Sequence, residues 1–233
     1  MLVRRLLALF TGLWLYGFSM AMMITAGLGL DPWDVFHQGV AGRTPFGFGA
    51  VTALTGVVVL LLWIPIRQKP GFGTIANVVV VAVSVDTSLA LLDSADSLYV
   101  RVALMLGGVV LNALATVLYI GAGMGPGPRD GLMTGLVART GVSVRVIRTS
   151  IEVTVLATGW LLGGTVGVGT VVYALGIGPL VQLMMRIGFI YPTARKTSSV
   201  GPDSAIAESP EIGPPGAGAP SGDAESNSAS TVP

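Results

Sequence analysis

A segment of 18 residues occurs twice in this chain. The first copy, residues 27–44, reads GLGLDPWDVFHQGVAGRT, and the second, residues 123–140, reads GMGPGPRDGLMTGLVART. Gly27, Gly29, Pro32, Asp34, Gly39, Arg43 and Thr44 return as Gly123, Gly125, Pro128, Asp130, Gly135, Arg139 and Thr140, each 96 positions on and without a gap. Between apolar runs, a polar segment broken by Gly and Pro is costly to keep. Its presence twice points to two related halves that face one another. The register extends further: Leu2, Arg5, Gly12 and Ile24 match Leu98, Arg101, Gly108 and Ile120, and Gly71, Gly73 and Thr74 match Gly167, Gly169 and Thr170. Aliphatic identities arise easily by chance in such a chain. Identities of Gly, Pro, Asp, Arg and Thr in a single register do not.

The apolar runs define the class. Charged residues make up 11% of the chain and the mean hydropathy is +0.77, against about 25% charged residues in a soluble domain. Six runs are long enough to cross a bilayer: residues 6–26, about 46–66, about 74–92, 102–122, about 142–162 and about 170–187. Helices of this length reach roughly 27–32 Å, the thickness of the hydrocarbon core. Every backbone group in a span must be satisfied internally, so each is expected to be helical. The first run follows Arg4 and Arg5 as a signal peptide would. It is longer than a usual signal core and has a counterpart deep in the chain, so a retained span is expected. The chain has no cysteine and one histidine, which leaves no disulfide, thiolate chemistry or usual zinc or haem site. No cofactor is expected. A net charge of +1 implies no nucleic-acid partner.

Basic residues give an orientation. With the N-terminus in the cytoplasm, 11 of the 13 Lys and Arg residues fall on the inner side, and only Arg43 and Arg101 fall outside. Each half then holds three spans, an odd number, so the second enters the membrane inverted relative to the first. The expected fold is an all-α polytopic protein of six spans in two inverted three-helix repeats, residues 1–93 and 97–190. Each repeat has a short Gly/Pro-broken helix after its first span. Inverted repeats around a midplane site recur among transporters. From residue 193 to 233 the composition turns to Pro, Gly, Ser and acidic residues, and a disordered cytoplasmic tail is expected.

Within the motif, Pro32 and Pro128 suit the first turn of a helix, and Gly27, Gly29, Gly123 and Gly125 allow the reversal before it. The helices that follow run for about ten residues, too short to span. Asp34 and Asp130 fall in their first turns, where a carboxylate favours the positive end of the helix dipole. Capping by the Asp residues and anchoring by Arg43 and Arg139 account for the motif as well as a role in a substrate path does. Asp86, Arg148 and Glu152 lie inside spans, where a charge costs at least about 2.5–3.5 kcal/mol. Arg148 and Glu152 are spaced i, i+4 and can neutralise each other. Asp86 has no partner in its own span, and its counterpart at the same offset is Gln182. His37 and Trp33 read as packing or interfacial side chains, and Asn77, Asn112 and Gln182 as hydrogen-bonding groups between helices.

The G-x-G-x-x-P-x-D pattern of Gly27, Gly29, Pro32 and Asp34, followed by the G-x-G-T of Gly71, Gly73 and Thr74, resembles the bacterial YczE/YyaS/YitT-type integral membrane proteins over residues 1 to about 190. The resemblance implies a multi-pass protein of the bacterial cytoplasmic membrane and no particular activity. In the second copy Trp33 is replaced by Arg129, so the two halves need not be equivalent. Two functions fit the residues: a secondary transporter or permease-like protein of a small molecule or ion, and a non-transporting scaffold or regulatory subunit. No catalytic set is present, and an enzyme is not expected. If Asp34, Asp130, Asp86 and Glu152 converge on one cavity, transport gains. If they face loops or neutralise one another at the surface, the scaffold gains.

Overall fold

The computed structural model describes residues 1–187. The tail at 193–233 lies outside the described residues. Eight helices follow in order: α1 (Leu2–Ala26), α2 (Pro32–Ala41), α3 (Phe48–Ile66), α4 (Phe72–Leu91), α5 (Leu98–Gly121), α6 (Pro128–Thr140), α7 (Val144–Leu161) and α8 (Val168–Arg186). Five of them, α1, α3, α4, α5 and α8, are long and apolar enough to cross a membrane. The fifth expected span, α7, has only 18 residues and carries Arg145, Arg148 and Glu152. Large apolar side chains such as Leu61, Ile64, Val79, Leu106 and Leu175 stand exposed around the bundle. A patch of this extent has no place in water and fits a lipid-facing surface.

The central packing is α1 against α5, with α4 on α1 and α8 on α5. Small residues let the two central backbones approach. Gly12 lies against Ala115 and Leu118, and Gly108 lies against Ser19 and Met23. The start of each helix meets the end of the other, so α1 and α5 run antiparallel. Arg5 donates from Nε to the carbonyl of Ala122 (2.7 Å) and from Nη2 to that of Gly123 (2.7 Å). Arg101 donates in the same way to Ala26 (2.7 Å) and Gly27 (2.8 Å). The carbonyls freed where each helix breaks are thereby satisfied by a guanidinium from the other half.

The break has one geometry in both halves. Gly27 and Gly123 have φ of 58° and 61°, and Gly29 and Gly125 have φ of 117° and 122°, values that disfavour any side chain. Space forbids a side chain as well. A Cβ on Gly29 would meet the amide of Gly167 at 2.7 Å, and one on Gly125 would meet the Cα of Gly71 at 3.0 Å. The loops that precede α4 and α8 close over these points. Gly73 donates its N–H to the carbonyl of Met124 (2.8 Å), and Gly169 donates to that of Leu28 (2.8 Å). Both repeats of G-x-G-T therefore seat on the broken segment of the opposite half.

The short helices cross over too. α2 packs on α7 and α6 packs on α3. Arg43 donates to the carbonyls of Leu162 (2.9 Å) and Leu161 (3.2 Å), and Arg139 donates to that of Pro65. Bulk is exchanged at the equivalent contact. The Trp63 ring lies on Gly131, whereas Gly159, its counterpart, lets the backbone of Val35 and Phe36 come close. The halves differ in one respect. α3 packs along α4, but the equivalent α7 and α8 barely touch.

A Cβ at Gly164 would drive into the carbonyl of Val35, while one at Gly178 would meet nothing within 4 Å. Gly164→Ala is expected to cost about 1–3 kcal/mol through overpacking, and Gly178→Ala to be neutral or slightly stabilising. Thermal midpoints of the purified variants check the pair; equal midpoints would contradict the packing of α2 on α7.

Candidate functional site

The first turns of α2 and α6 meet in the interior of the bundle, and the side chains they bring together form an ion cluster. Asp31 is the N-cap of α2. Its Oδ1 accepts from the N–H of Trp33 (2.8 Å) and of Asp34 (3.0 Å). Arg129, at the second position of α6, reaches across. Its Nη1 lies 3.6 Å from Asp31 Oδ1 and its Nη2 lies 3.5 Å from Asp34 Oδ1. The guanidinium also sits over the Trp33 ring, 4.9 Å from the centroid. Trp33 and Arg129 occupy the same position of the repeat, and they stack on one another.

His37 backs the cluster. Its Nδ1 is 3.2 Å from Asp34 Oδ1 and 3.3 Å from Thr52 Oγ1. The Thr52 hydroxyl donates to the carbonyl of Phe48 (2.9 Å). Both neighbours of Nδ1 are thus acceptors, so Nδ1 carries a proton. Asp31, Asp34 and His37 are buried, while Arg129 keeps 26% of its side chain exposed. The outer oxygens of the two carboxylates, Asp31 Oδ2 and Asp34 Oδ2, have no hydrogen-bond partner.

Arg129 opens onto a cavity of about 360 Å³. Asp31, Trp33 and His37 line it on one side, and Asp130 with Tyr119 on another. The Tyr119 hydroxyl donates to Asp130 Oδ2 (2.7 Å). Tyr173 donates to Asn112 Oδ1 (3.1 Å), and Asn112 Nδ2 donates to Ser19 (2.9 Å), which ties α1, α5 and α8 by a polar seam. At the mouth, Arg148 Nε donates to Glu152 Oε1 (2.9 Å), and both side chains are substantially exposed. α7 and α8 both line the cavity and scarcely touch each other. Among the described residues no group of three His, Asp or Glu side chains is placed to hold a metal ion.

Of the residues singled out by sequence, Asp130, Arg148 and Glu152 line this one cavity, and Asp34 does not line it but is tied to the lining residues Arg129 and His37. Arg43 and Arg139 do not reach it, since both tie helix ends by their carbonyls. Asp86 is elsewhere as well. Its Oδ1 accepts from the N–H of Gly49 (2.7 Å) at the first turn of α3, so it caps that helix and fastens it to α4. Asp31 was not singled out by sequence, and Trp33 and Arg129 were read only as a packing aromatic and as a departure of the second copy from the first. A signal was there: Asp31 faces Gly127 and Trp33 faces Arg129 across the repeat, which are the changes of charge within the motif.

Comparison with known proteins gives a family without an assigned activity. Residues 3–186 match a family of unknown function, DUF6198. The chain is 38% identical over 171 residues to an uncharacterized protein of Haemophilus influenzae, covering 73% of this chain and 78% of that protein. It is 30% identical over 204 residues to the uncharacterized membrane protein YczE of Bacillus subtilis, covering 85% of this chain and 95% of that protein. No solved structure matches.

Removing the cation from the cluster leaves two buried carboxylates without a counter-charge. Arg129→Met is expected to destabilise the protein by about 3–5 kcal/mol. The triple variant Asp31→Asn, Asp34→Asn, Arg129→Met is expected to recover most of that loss, read from thermal midpoints. A single substitution without effect would mean that the cluster is not buried as described.

Proposed function

The chain belongs to the family of unknown function DUF6198, a YczE-type membrane family, and we propose that it is a secondary transporter whose two inverted halves move a small solute past the Arg129–Asp31–Asp34 cluster. The observation that carries this reading is the cluster itself. Each ion buried in an apolar bundle costs several kcal/mol even when paired, and intramembrane ionisable groups that face a cavity mark solute paths. Here they stand at the first turns of two broken helices, one from each half. That is where transporters with inverted repeats hold their substrates.

In this reading the membrane holds six spans, with α7 among them. Arg148 and Glu152 face the cavity instead of lipid, which accounts for a span of low hydropathy. The antiparallel, equivalent α1 and α5 support inversion of the second half, and the distribution of Lys and Arg supports both termini in the bacterial cytoplasm. The C-terminal end of α8 and the start of α7 then lie on the cytoplasmic side. The cavity opens toward that side, between α7 and α8. The equivalent outer path, between α3 and α4, is shut by Asp86 on Gly49. Exchange of these two arrangements would carry the site from one face to the other, without chemical conversion of the solute. A scaffold or regulatory subunit would have no use for an ion cluster facing a cavity.

The test is motion. Spin labels at Val146→Cys and Leu183→Cys report the gap between α7 and α8, and labels at Ala50→Cys and Thr87→Cys, 96 positions earlier, report the gap between α3 and α4. In reconstituted protein each pair is expected to show a short and a long distance, with the short state of one pair accompanying the long state of the other. One fixed distance in each pair, under every condition of pH and ion gradient, would favour the scaffold.

A further inference from the structure

We infer that the solute of the central cavity is a small primary ammonium cation, drawn to the carboxylates of Asp31 and Asp130. The inference rests on the transport reading and names the class of solute that this site takes.

The charges of the cavity are unequal. Two guanidinium groups, Arg129 and Arg148, stand against four carboxylates, Asp31, Asp34, Asp130 and Glu152. Arg148 and Glu152 neutralise one another at 2.9 Å. Arg129 is shared by Asp31 and Asp34, at 3.6 and 3.5 Å, which leaves one negative charge in excess. His37, buried behind Asp34, does not cancel it, because burial disfavours a charged imidazole. Asp130 takes the Tyr119 hydroxyl (2.7 Å), a neutral donor, and has no ion pair among the described residues. The positive ends of α2 and α6 each offset roughly half a charge. About one negative charge remains, and a monovalent cation matches it. An anion finds no open place at either helix start, since α2 is capped by Asp31 and the first turn of α6 carries Asp130.

The wall also holds an acceptor that lacks a donor. Asp31 lines the cavity and is 1% exposed. Its Oδ1 is engaged by the amides of Trp33 and Asp34, and its Oδ2 has no hydrogen-bond partner. A buried acceptor in this state is costly. The N–H of a primary ammonium group is the donor that Oδ2 lacks, and its charge is the one that the cluster lacks.

The remaining wall suits the same ligand. Tyr16, Tyr119 and Tyr173 line the cavity, and the first two rings meet edge to face at 6.1 Å. Aromatic faces attract cations. The site already holds one cation in this way, the Arg129 guanidinium over the Trp33 ring. Val78, Ile120 and Ile177 present apolar surface to a short carbon chain. A volume of about 360 Å³ accommodates an organic molecule. A metal ion is a poorer match, because among the described residues no three His, Asp or Glu side chains converge on one point.

Calorimetric titration of the full chain in a non-ionic detergent at neutral pH tests this. Three probes share one carbon chain and differ in charge: n-butylammonium, n-butanol and n-butyrate. Butylammonium is expected to bind at millimolar concentration or below, and the other two to give no saturable heat. Asp31→Asn keeps a capping oxygen for α2 and removes the charge. It is expected to weaken butylammonium by about tenfold or more, as is Asp130→Asn. Asp93→Asn, an exposed position outside the cavity, is expected to bind as the wild type does. Absence of butylammonium binding overturns the inference. Butanol or butyrate binding as tightly overturns it as well, since the attraction is then not to positive charge. Unchanged affinity in both Asp31→Asn and Asp130→Asn overturns the location. The comparison of the three probes needs only the wild type, so it stands even if a variant fails to fold. The spin-label distances are a separate readout. If they exchange while butylammonium does not bind, transport stands and the cation falls. If butylammonium binds as described while the helices stay fixed, the cation site stands and transport falls.

Discussion

A chain that breaks a helix inside an apolar bundle frees carbonyls and amides that lipid cannot satisfy, and this protein satisfies them with its own other half. Arg5 closes the break after α5, and Arg101 closes the break after α1. Gly73 and Gly169 donate across the same divide. Neither half could keep its short helix in place alone, so the halves interlock. The interlock in turn forces the two broken helices to begin opposite each other at the centre.

Once two helix starts face each other in the interior, the positive ends of their dipoles also face each other. Carboxylates answer that field: Asp31 and Asp34 at α2, and Asp130 at α6. Arg129 then answers the carboxylates. The repeat departs from itself here, with Asp31 against Gly127 and Trp33 against Arg129. Where the halves must bind one another they have kept the same residues. Where they enclose a cavity they have diverged.

Much of the fold was legible because apolar length and a gapless repeat are local signals. The helices, the two breaks and the short α2 and α6 follow from runs of hydrophobic residues and from Gly and Pro at fixed offsets. The site was legible in part. Asp130, Arg148 and Glu152 line one cavity, and Asp34 joins them only through Arg129 and His37. Asp86 does not. Its depth in α4 was counted from the helix start, while the end of α3 that it caps is set by packing. Arg43 and Arg139 carry the same charge as Arg129, and composition cannot distinguish a guanidinium bound to carbonyls from one that faces a cavity. α7 remained ambiguous in hydropathy because it carries three charges, and that two of them, Arg148 and Glu152, border the cavity is defined only by its neighbours.

Everything above depends on the second half entering the membrane upside down. The most direct measurement places single cysteines at Phe46→Cys and Val142→Cys, exposed positions 96 residues apart, in this naturally cysteine-free chain. Intact cells are then treated with a membrane-impermeant maleimide from outside, and inverted vesicles from the cytoplasmic side. The account expects position 46 to label from outside only and position 142 from the cytoplasmic side only. Labelling of both from the same face would contradict the inversion and with it the transport path.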